Sequence, residues 1–280
     1  MDIHDDSEYS DWDIDRIKTE KDLNVQWLKE QIIEHRDFIF EIHNSAFWKG
    51  AFVDNTERIL ISVSKTLDSI RHCLISVNIA DMFTLLRKCR DDLFFYILVK
   101  VVHEKHDSDG NDEMKVKISD WENNRLKDLD ASCVLKYIGS YKPVLAAITK
   151  YGIRKEFDDM GTVLNNYVHS NGIVYYNQFY DKYNDAFNVG RSNVLKGILD
   201  DFEYQMNYLF ASFIFLYILI RPSDISSDDY VDSLDCGQKP IIGSQYWGLP
   251  FVNDYLMKYQ DYLGKGCKQY LKDETGMEIE

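Results

Sequence analysis

The chain has few residues that interrupt helices. Four prolines occur among its 280 residues, and Pro143 is the only one before Pro222. Because proline breaks an α-helix from within, so small a number favours long helices over most of the chain. Hydrophobic residues make up 45% of the sequence, which excludes wholesale disorder and supplies a core. The composition therefore predicts an all-α protein, and its length suits one large helical domain or two small ones.

Positive charge is also scarce. The sequence holds 32 lysines and arginines against 47 aspartates and glutamates, which gives a net charge of −15. General nucleic-acid binders draw most of their affinity from basic side chains that neutralise phosphates. The average field of this chain repels RNA and DNA, which excludes a general nucleic-acid binder. A nucleic-acid role would need a local basic pocket on the acidic body, or a basic partner subunit.

Paired cysteines and long apolar runs are missing as well. The five cysteines stand singly, without a Cys-x-x-Cys pair, which predicts reduced thiols in a cytoplasmic protein. The first residues, Met1–Asp6, are acidic and do not have the pattern of a secretory signal. The most apolar run covers residues 208–220. It is shorter than the about 20 residues that cross a bilayer, so we expect no membrane span.

Helical periodicity and turn signals divide the chain into four parts. They are an acidic flexible tail, an N-terminal helix, a helical core, and a C-terminal loop followed by a helix that packs on the core. Their predicted bounds are 1–15, 16–54, 55–221 and 222–280.

Local signals predict where some helices of the core begin and end. Ser119 and Glu122 have the spacing of a capping box, which predicts that a helix begins at Ser119. One helical stretch is expected between Pro143 and His169. Pro222 is expected to end the most apolar helix, because it cannot continue the hydrogen-bond ladder.

Two arginines stand where an apolar helix face is expected. Arg90 falls within a stripe of apolar residues at helical spacing, and Arg87 lies at its edge. The stripe consists of Met82, Leu86, Cys89, Leu93, Ile97 and Val101. A buried guanidinium must find an acceptor, because leaving it unpaired is very costly. Arg90 is therefore a structural ion pair, a long side chain whose charged end leaves the core, or an anion-binding or catalytic arginine that faces a cleft.

A second candidate lies at the helix end near His169. The inward face of this helix is predicted to consist of Phe157, Met160, Leu164 and Val168. Asn165 and His169 are four residues apart on one flank, so their side chains can touch. From the chemistry of this segment alone, His169 is most simply a capping or packing histidine.

The segments LLRKCRDDL (85–93) and LNNYVH (164–169) together resemble the HEPN superfamily. They are similar in particular to HEPN-like bacterial proteins whose motif is Leu-Ser-x-x-Val-His. The resemblance covers residues 55–221 and implies a single helical bundle-like domain, of a kind that is often dimeric. It also implies a link to RNA cleavage or RNA binding in phage-defence or toxin–antitoxin systems. Catalytic members carry an arginine shortly before the histidine, whereas residues 161–165 of this chain contain none.

The resemblance implies a metal-independent ribonuclease site without a cofactor. His169 would be the general acid or base, Arg87 or Arg90 would hold the phosphate, and Asn165 would orient the imidazole. Because the arginine before the histidine is missing, Arg87 or Arg90 would have to reach the site from the neighbouring helix. The family also has non-catalytic members. The alternatives are therefore an RNA-binding component and a protein-interaction or scaffolding subunit.

An aromatic segment over residues 241–251 is broken by glycine and proline and cannot form a regular buried element. Its candidate contact residues are Tyr246, Trp247 and Phe251. They either pack back over the bundle or form a surface for a homodimer or a partner protein, where aromatic side chains are favoured anchors.

His103 and His106 lie three residues apart where a helix is expected to fray, so we predict no metal site there.

Overall fold

The computed structural model shows an all-α protein, which confirms the predicted fold class. The residues whose structure is described are 25–48, 55–76, 78–105, 113–126, 129, 131–169, 171, 188–227, 237, 239 and 247–279. Their α-helices are α1 (Gln26–Trp48), α2 (Glu57–Ile75), α3 (Ile79–Glu104), α4 (Glu113–Glu122), α5 (Ala131–Ile138), α6 (Lys142–Lys150), α7 (Ile153–His169), α8 (Asn188–Ile220), α9 (Pro250–Tyr259) and α10 (Cys267–Thr275). Short 3₁₀ helices cover Pro222–Ile225 and Gln260–Tyr262. The two-residue strands β1 (Ser226–Ser227) and β2 (Trp247–Gly248) pair antiparallel.

Helix α3 lies at the centre of the fold and packs against α2, α5, α7 and α8. Every apolar residue of the stripe predicted around Arg90 is fully buried. Helix α1, which is the part of the predicted N-terminal helix that the structure describes, packs on α2 and α9. The predicted tail over residues 1–15 lies outside the described residues.

The second half of α8 is the most apolar part of the core, and residues 208–220 are all buried. By length and composition, residues 196–220 would suffice to cross a membrane. However, 89% of that apolar window is buried inside the protein. This degree of burial is typical of a core helix. Pro222 ends α8 as predicted, and a 3₁₀ turn follows it.

The prediction that a helix begins at Ser119 is wrong. Ser119 lies inside α4, which begins at Glu113 and ends at Glu122. The Asn123 side chain donates a hydrogen bond of 2.7 Å to the Ser119 carbonyl, and Asn124 turns the chain with a φ of 56°. The segment therefore ends a helix, because its polar side chains satisfy carbonyl groups at a C-terminus instead of amide groups at an N-terminus.

Glycines at positive φ divide two stretches that were expected to be single helices. Gly152, with a φ of 63°, separates α6 from α7, so these two helices pack against each other. Gly264 and Gly266 have φ angles of 106° and 87° and separate the C-terminal stretch into α9 and α10. A left-handed backbone is readily adopted by glycine and ends a helix, and each break lets the chain fold back on the core.

Candidate functional site

Arg87, Arg90 and Asn165 line one cavity of 470 Å³. Helix α3 contributes the arginines, and helix α7, which packs against α3, contributes the asparagine. Its aromatic lining comes from Phe94, Phe95, Trp121 and Phe157. Two of the separate sequence candidates, the arginine helix and the asparagine of the second segment, therefore meet in space.

Arg90 is the most buried polar residue of the cavity, with a side chain that is only 4% exposed. Its Nε and Nη2 atoms donate hydrogen bonds of 3.0 and 2.7 Å to Oδ1 of Asp91. Its Cζ atom lies 4.8 Å from the centre of the Phe157 ring. Arg90 is thus both a structural ion pair and part of the cavity wall.

Helix α7 approaches Arg90 closely at Gly161. A β-carbon at Gly161 would lie 2.7 Å from Nη1 of Arg90. Real β-carbons do not approach other heavy atoms so closely, so the guanidinium would have to move aside for any other residue. Because Gly161 has no side chain, the Arg90 guanidinium can lie against α7 at this position.

Arg87 stands nearer to solvent than Arg90, with 30% of its side chain exposed. Its Nε atom lies 3.7 Å from Oδ2 of Asp91, so Asp91 is shared by both arginines. Asp92 also lines the cavity and accepts a hydrogen bond of 3.0 Å from Ser62. Asp92 is also paired with Lys88 of the same helix, so Arg87, Lys88 and Arg90 stand against two carboxylates and leave one positive charge in excess beside the cavity. The cavity is therefore a polar site with aromatic walls, and its two guanidinium groups are both engaged by Asp91.

Asn165 carries an unsatisfied acceptor. Its Oδ1 atom is buried and accepts no hydrogen bond from the described residues. A buried carbonyl oxygen without a donor is costly, so such atoms in folded proteins usually meet a partner or a ligand. The neighbouring Asn166, by contrast, accepts a hydrogen bond of 3.3 Å from the Asn171 side chain. Asn165 thus combines a place in the cavity lining with an amide oxygen that has no donor among the described residues.

His169 does not line this cavity. It is the last residue of α7, its side chain is exposed, and it is not among the residues that form the cavity wall. Because Oδ1 of Asn165 accepts no hydrogen bond, it does not orient the imidazole as the nuclease scheme requires. The structure thus brings Arg87, Arg90 and Asn165 together and leaves His169 outside.

The inward face near His169 also differs by one residue from the prediction. Phe157, Met160 and Leu164 are buried as expected, but Tyr167 is buried in place of Val168, which is only half-buried. The Tyr167 ring stacks on Phe83 with 3.9 Å between ring centres. An aromatic ring buries more surface than a valine. Stacking on Phe83 of α3 therefore favours the orientation of the helix end in which Tyr167, and not Val168, points inward.

The aromatic walls of the cavity were not anticipated from the sequence. The rings of Phe95 and Trp121 meet edge to face at 5.0 Å, and those of Phe94 and Phe157 meet at 4.5 Å. Trp121 belongs to α4 and Phe157 to α7, so no single helix shows the set. A usable signal was Gly161, because a glycine inside a helix weakens it and so suggests a close approach by a neighbour.

The three predicted contact residues of the 241–251 segment have different outcomes. Tyr246 lies outside the described residues. Trp247 pairs with Ser227 and forms a bridge to Glu278, and the Phe251 ring lies 5.8 Å from that of Phe38. Trp247 and Phe251 therefore pack back on their own chain, although both stay partly exposed.

A buried polar network, also missed from the sequence, joins α1, α8 and α9. His35 is completely buried, its Nε2 atom donates a hydrogen bond of 2.7 Å to Oδ1 of Asn207, and its Nδ1 atom accepts one from the Tyr255 hydroxyl. Asn207 in turn donates to Gln31 at 3.1 Å and to Tyr262 at 2.8 Å. Burial lowers the pKa of His35 to about 3, so the imidazole is neutral. The sequence signal for this network was a histidine within an apolar stripe at helical spacing, as it was for Arg90.

Within the described part of the chain, no group of three or more His, Cys, Asp or Glu side chains is placed to hold a metal ion. His103 is partly buried near the end of α3, and His106 lies outside the described residues.

Comparison of the chain with models of known protein families, with curated proteins and with solved structures finds no match. The segments at 85–93 and 164–169 lie on α3 and α7, which pack against each other.

Proposed function

We propose that this chain is a HEPN-like, RNA-directed component that binds single-stranded RNA without cleaving it, of the kind found in phage-defence or toxin–antitoxin systems. An unpaired base would enter the cavity between α3 and α7. The observation that carries the proposal is the unsatisfied amide oxygen of Asn165, a residue that lines an aromatic-walled cavity. The reduced, singly placed cysteines fit a cytoplasmic location for such a protein.

The chemistry of the lining suits a base. Proteins that bind single-stranded RNA stack its bases on aromatic rings, as Trp121 and Phe95 would allow here. Asparagine amides form hydrogen bonds with the edges of bases, and the free oxygen of Asn165 would accept one from an exocyclic amine or a ring N–H. The volume of 470 Å³ lies in the ordinary range of small-molecule pockets.

Two features favour binding over cleavage. Stabilising the charge that develops on a phosphate during cleavage requires positive groups that are free to face it. Here Asp91 holds both Arg87 and Arg90, and the exposed His169 lies outside the cavity. Within one chain, His169 therefore does not share the cavity with the arginines that the nuclease scheme pairs with it. With few phosphate contacts on an acidic chain, the affinity for RNA should depend only weakly on salt.

Replacing Asn165 by alanine is expected to weaken the binding of short single-stranded RNA by about tenfold, because a base loses its hydrogen bond to the amide. Gly161→Ala should have an effect in the same direction, since its β-carbon displaces the Arg90 guanidinium while every charge is kept. Fluorescence anisotropy of labelled homopolymers of each base, at low and moderate salt, measures both.

Asn166→Ala is the matched control, because Asn166 is the next residue of α7 and does not line the cavity. The proposal predicts that this variant binds RNA as the unchanged chain does. Equal binding by all variants, or no saturable binding of any RNA, would show that the cavity does not take a base.

His169→Ala is expected to change neither RNA binding nor the integrity of RNA after long incubation. The imidazole is exposed and lies outside the cavity, so its removal deletes no group of the proposed site. Gel analysis of end-labelled RNA, incubated with the chain with and without the substitution, tests this. Cleavage by the unchanged chain that is lost in His169→Ala would establish the ribonuclease scheme instead.

A second candidate is a non-catalytic protein-interaction or scaffolding subunit with the same fold. The net charge of −15 favours it, because that charge repels RNA and attracts basic proteins. In that case the lining of the cavity is purely structural. Asn165→Ala would then change thermal stability and leave no RNA affinity to measure.

A further inference from the structure

A groove of 570 Å³ runs between α1 and α9, on a part of the molecule that shares no residue with the cavity of Arg90. Its apolar floor is formed by Ile33, Phe38, Phe251 and Tyr255. The rings of Phe38 and Tyr255 stack in this floor with 3.5 Å between their centres. The lining residues of α1 extend from Glu30 to Glu41, which is a length of about 16 Å along the helix axis.

The rim of this groove is strongly acidic. Its carboxylates belong to Glu30, Glu34, Asp37, Glu41 and Asp254. The one cationic side chain in the lining is Lys258, and it is already bound to Glu34. The exposed carboxylates of Glu41 and Asp254 form no hydrogen bond or ion pair with the described residues.

The spacing of these acids disfavours the free helix. Glu30 and Glu34, and likewise Asp37 and Glu41, are four residues apart on α1, and like charges at that spacing repel and destabilise a helix. Asp37 is relieved by Arg36, which donates hydrogen bonds of 2.9 and 2.7 Å to it, whereas Glu41 has no such partner among the described residues. Glu34 is likewise relieved by Lys258, so the uncompensated repulsion is that of Glu41. A local cost of this kind is expected where an external partner supplies the compensation.

We propose that this groove binds an amphipathic, basic helix of a partner protein. Apolar side chains of that helix would lie on Phe38 and Phe251, and its lysines or arginines would face Glu41 and Asp254. A helix laid between two helices presents its contacts every three or four residues, and the α1 lining has the same period. Three turns of such a helix match the length of the groove.

Charge decides between this occupant and a second copy of the same chain. A second copy with a net charge of −15 would bring further negative charge to an acidic rim, which opposes association. A basic helix gains from the same field, both in encounter rate and in register. The proposal is independent of RNA binding, because the groove and the cavity of Arg90 can each fail without the other.

The test uses the full chain and a fluorescein-labelled synthetic helix with leucines on one face and lysines beside them. Fluorescence anisotropy should show saturable binding that weakens as salt is added. The double variant Glu41→Gln/Asp254→Asn is expected to bind about tenfold more weakly, because two facing charges are lost. Phe251→Ala should also weaken binding, with little change in the salt dependence.

The matched control is the double variant Asp200→Asn/Glu274→Gln, which removes the same two kinds of acid at exposed positions outside the groove. It should bind the helix as the unchanged chain does. Equal weakening in both double variants would mean that net charge alone attracts the peptide, and an absence of saturable binding would mean that the groove takes no such helix. A dimer in sedimentation that Glu41→Gln/Asp254→Asn dissociates would assign the groove to a second copy. Each of these results overturns the proposal.

Discussion

Replacing His35 by alanine is expected to lower the free energy of unfolding by about 3 to 5 kcal/mol. The substitution leaves a cavity where the imidazole stacks on Phe210, with 4.5 Å between ring centres. It also removes the donor to Oδ1 of Asn207 and the acceptor of the Tyr255 hydroxyl, and both of these side chains are buried. Urea unfolding followed by circular dichroism at neutral pH measures the loss.

The same residue makes stability depend on pH. Burial lowers the pKa of His35 from 6.5 to about 3, and Nδ1 accepts from the Tyr255 hydroxyl, which leaves no place for a second proton. Between these two values the unfolded chain takes up a proton that the folded chain does not. The contribution of His35 to stability is therefore complete above pH 6.5 and declines as the pH falls towards 3, by up to about 1.4 kcal/mol for each pH unit.

His35→Gln isolates this effect, because a glutamine amide can form hydrogen bonds in the same place but does not titrate. Acid also reduces the net charge of −15 and the self-repulsion that accompanies it, so the informative quantity is the difference between the two stability curves. That difference should narrow steadily as the pH falls below 6.5. Parallel curves would show that the pKa of His35 is the same in the folded and the unfolded chain.

Replacing Arg221 by methionine is expected to destabilise the chain by about 3 kcal/mol, because it leaves the buried carboxylate of Asp224 without its cation. The Asp224 side chain is only 3% exposed, and Arg221 donates to it from Nε at 3.3 Å and from Nη2 at 3.1 Å. Burial by itself would lower the pKa of Arg221, but its hydrogen bonds to Asp224 and Glu104 outweigh burial and raise that pKa above its ordinary value. Arg221 also joins the end of α8 to Glu104 at the end of α3.

The double variant Arg221→Met/Asp224→Asn separates the lost pair from the stranded charge. If the cost arises from an uncompensated buried carboxylate, the second substitution should recover a large part of it, and Tyr217 can still donate to the new amide oxygen. Thermal unfolding of the four proteins of this cycle provides the coupling energy. Simple addition of the two single effects would contradict the mechanism. Neither residue lines the cavity of Arg90, so RNA binding by folded protein should be unchanged.

Much of the fold was predictable because helix signals are local. Scarce proline and periodic apolar residues predicted an all-α chain, the stripe on α3 and the end of α8 at Pro222. The local signals gave a wrong prediction where the same residues fitted two different local structures equally well. The Ser119–Glu122 spacing suits a helix start, but the turn at Asn124 made it a helix end. Gly152 was expected to lie within a single helix, but in the structure its positive φ separates two helices.

The candidate site was predictable only in part. Periodicity placed Arg90 on the buried face of its helix, and burial of a guanidinium required an acceptor, but sequence spacing did not choose Asp91 over an acid from another helix. Sequence spacing also placed Asn165 and His169 on one flank of their helix. In the structure the amide oxygen of Asn165 is buried, whereas the His169 side chain is exposed. How deep each turn of a helix lies depends on how that helix crosses its neighbours, which spacing within one helix does not encode.

The sequence by itself determined the acidic surface, the helical class and the presence of polar residues on apolar stripes, because charge and period are properties of the chain. Only the tertiary structure decided what those polar residues face. The crossing of α3 and α7 enclosed Arg90 with Asn165 and aromatic rings from other helices, and the packing of α1 on α9 gave His35 its partners and left an acidic groove beside them. The reason is that a helix defines its own faces, whereas the identity of the neighbouring face follows from packing side chains between helices.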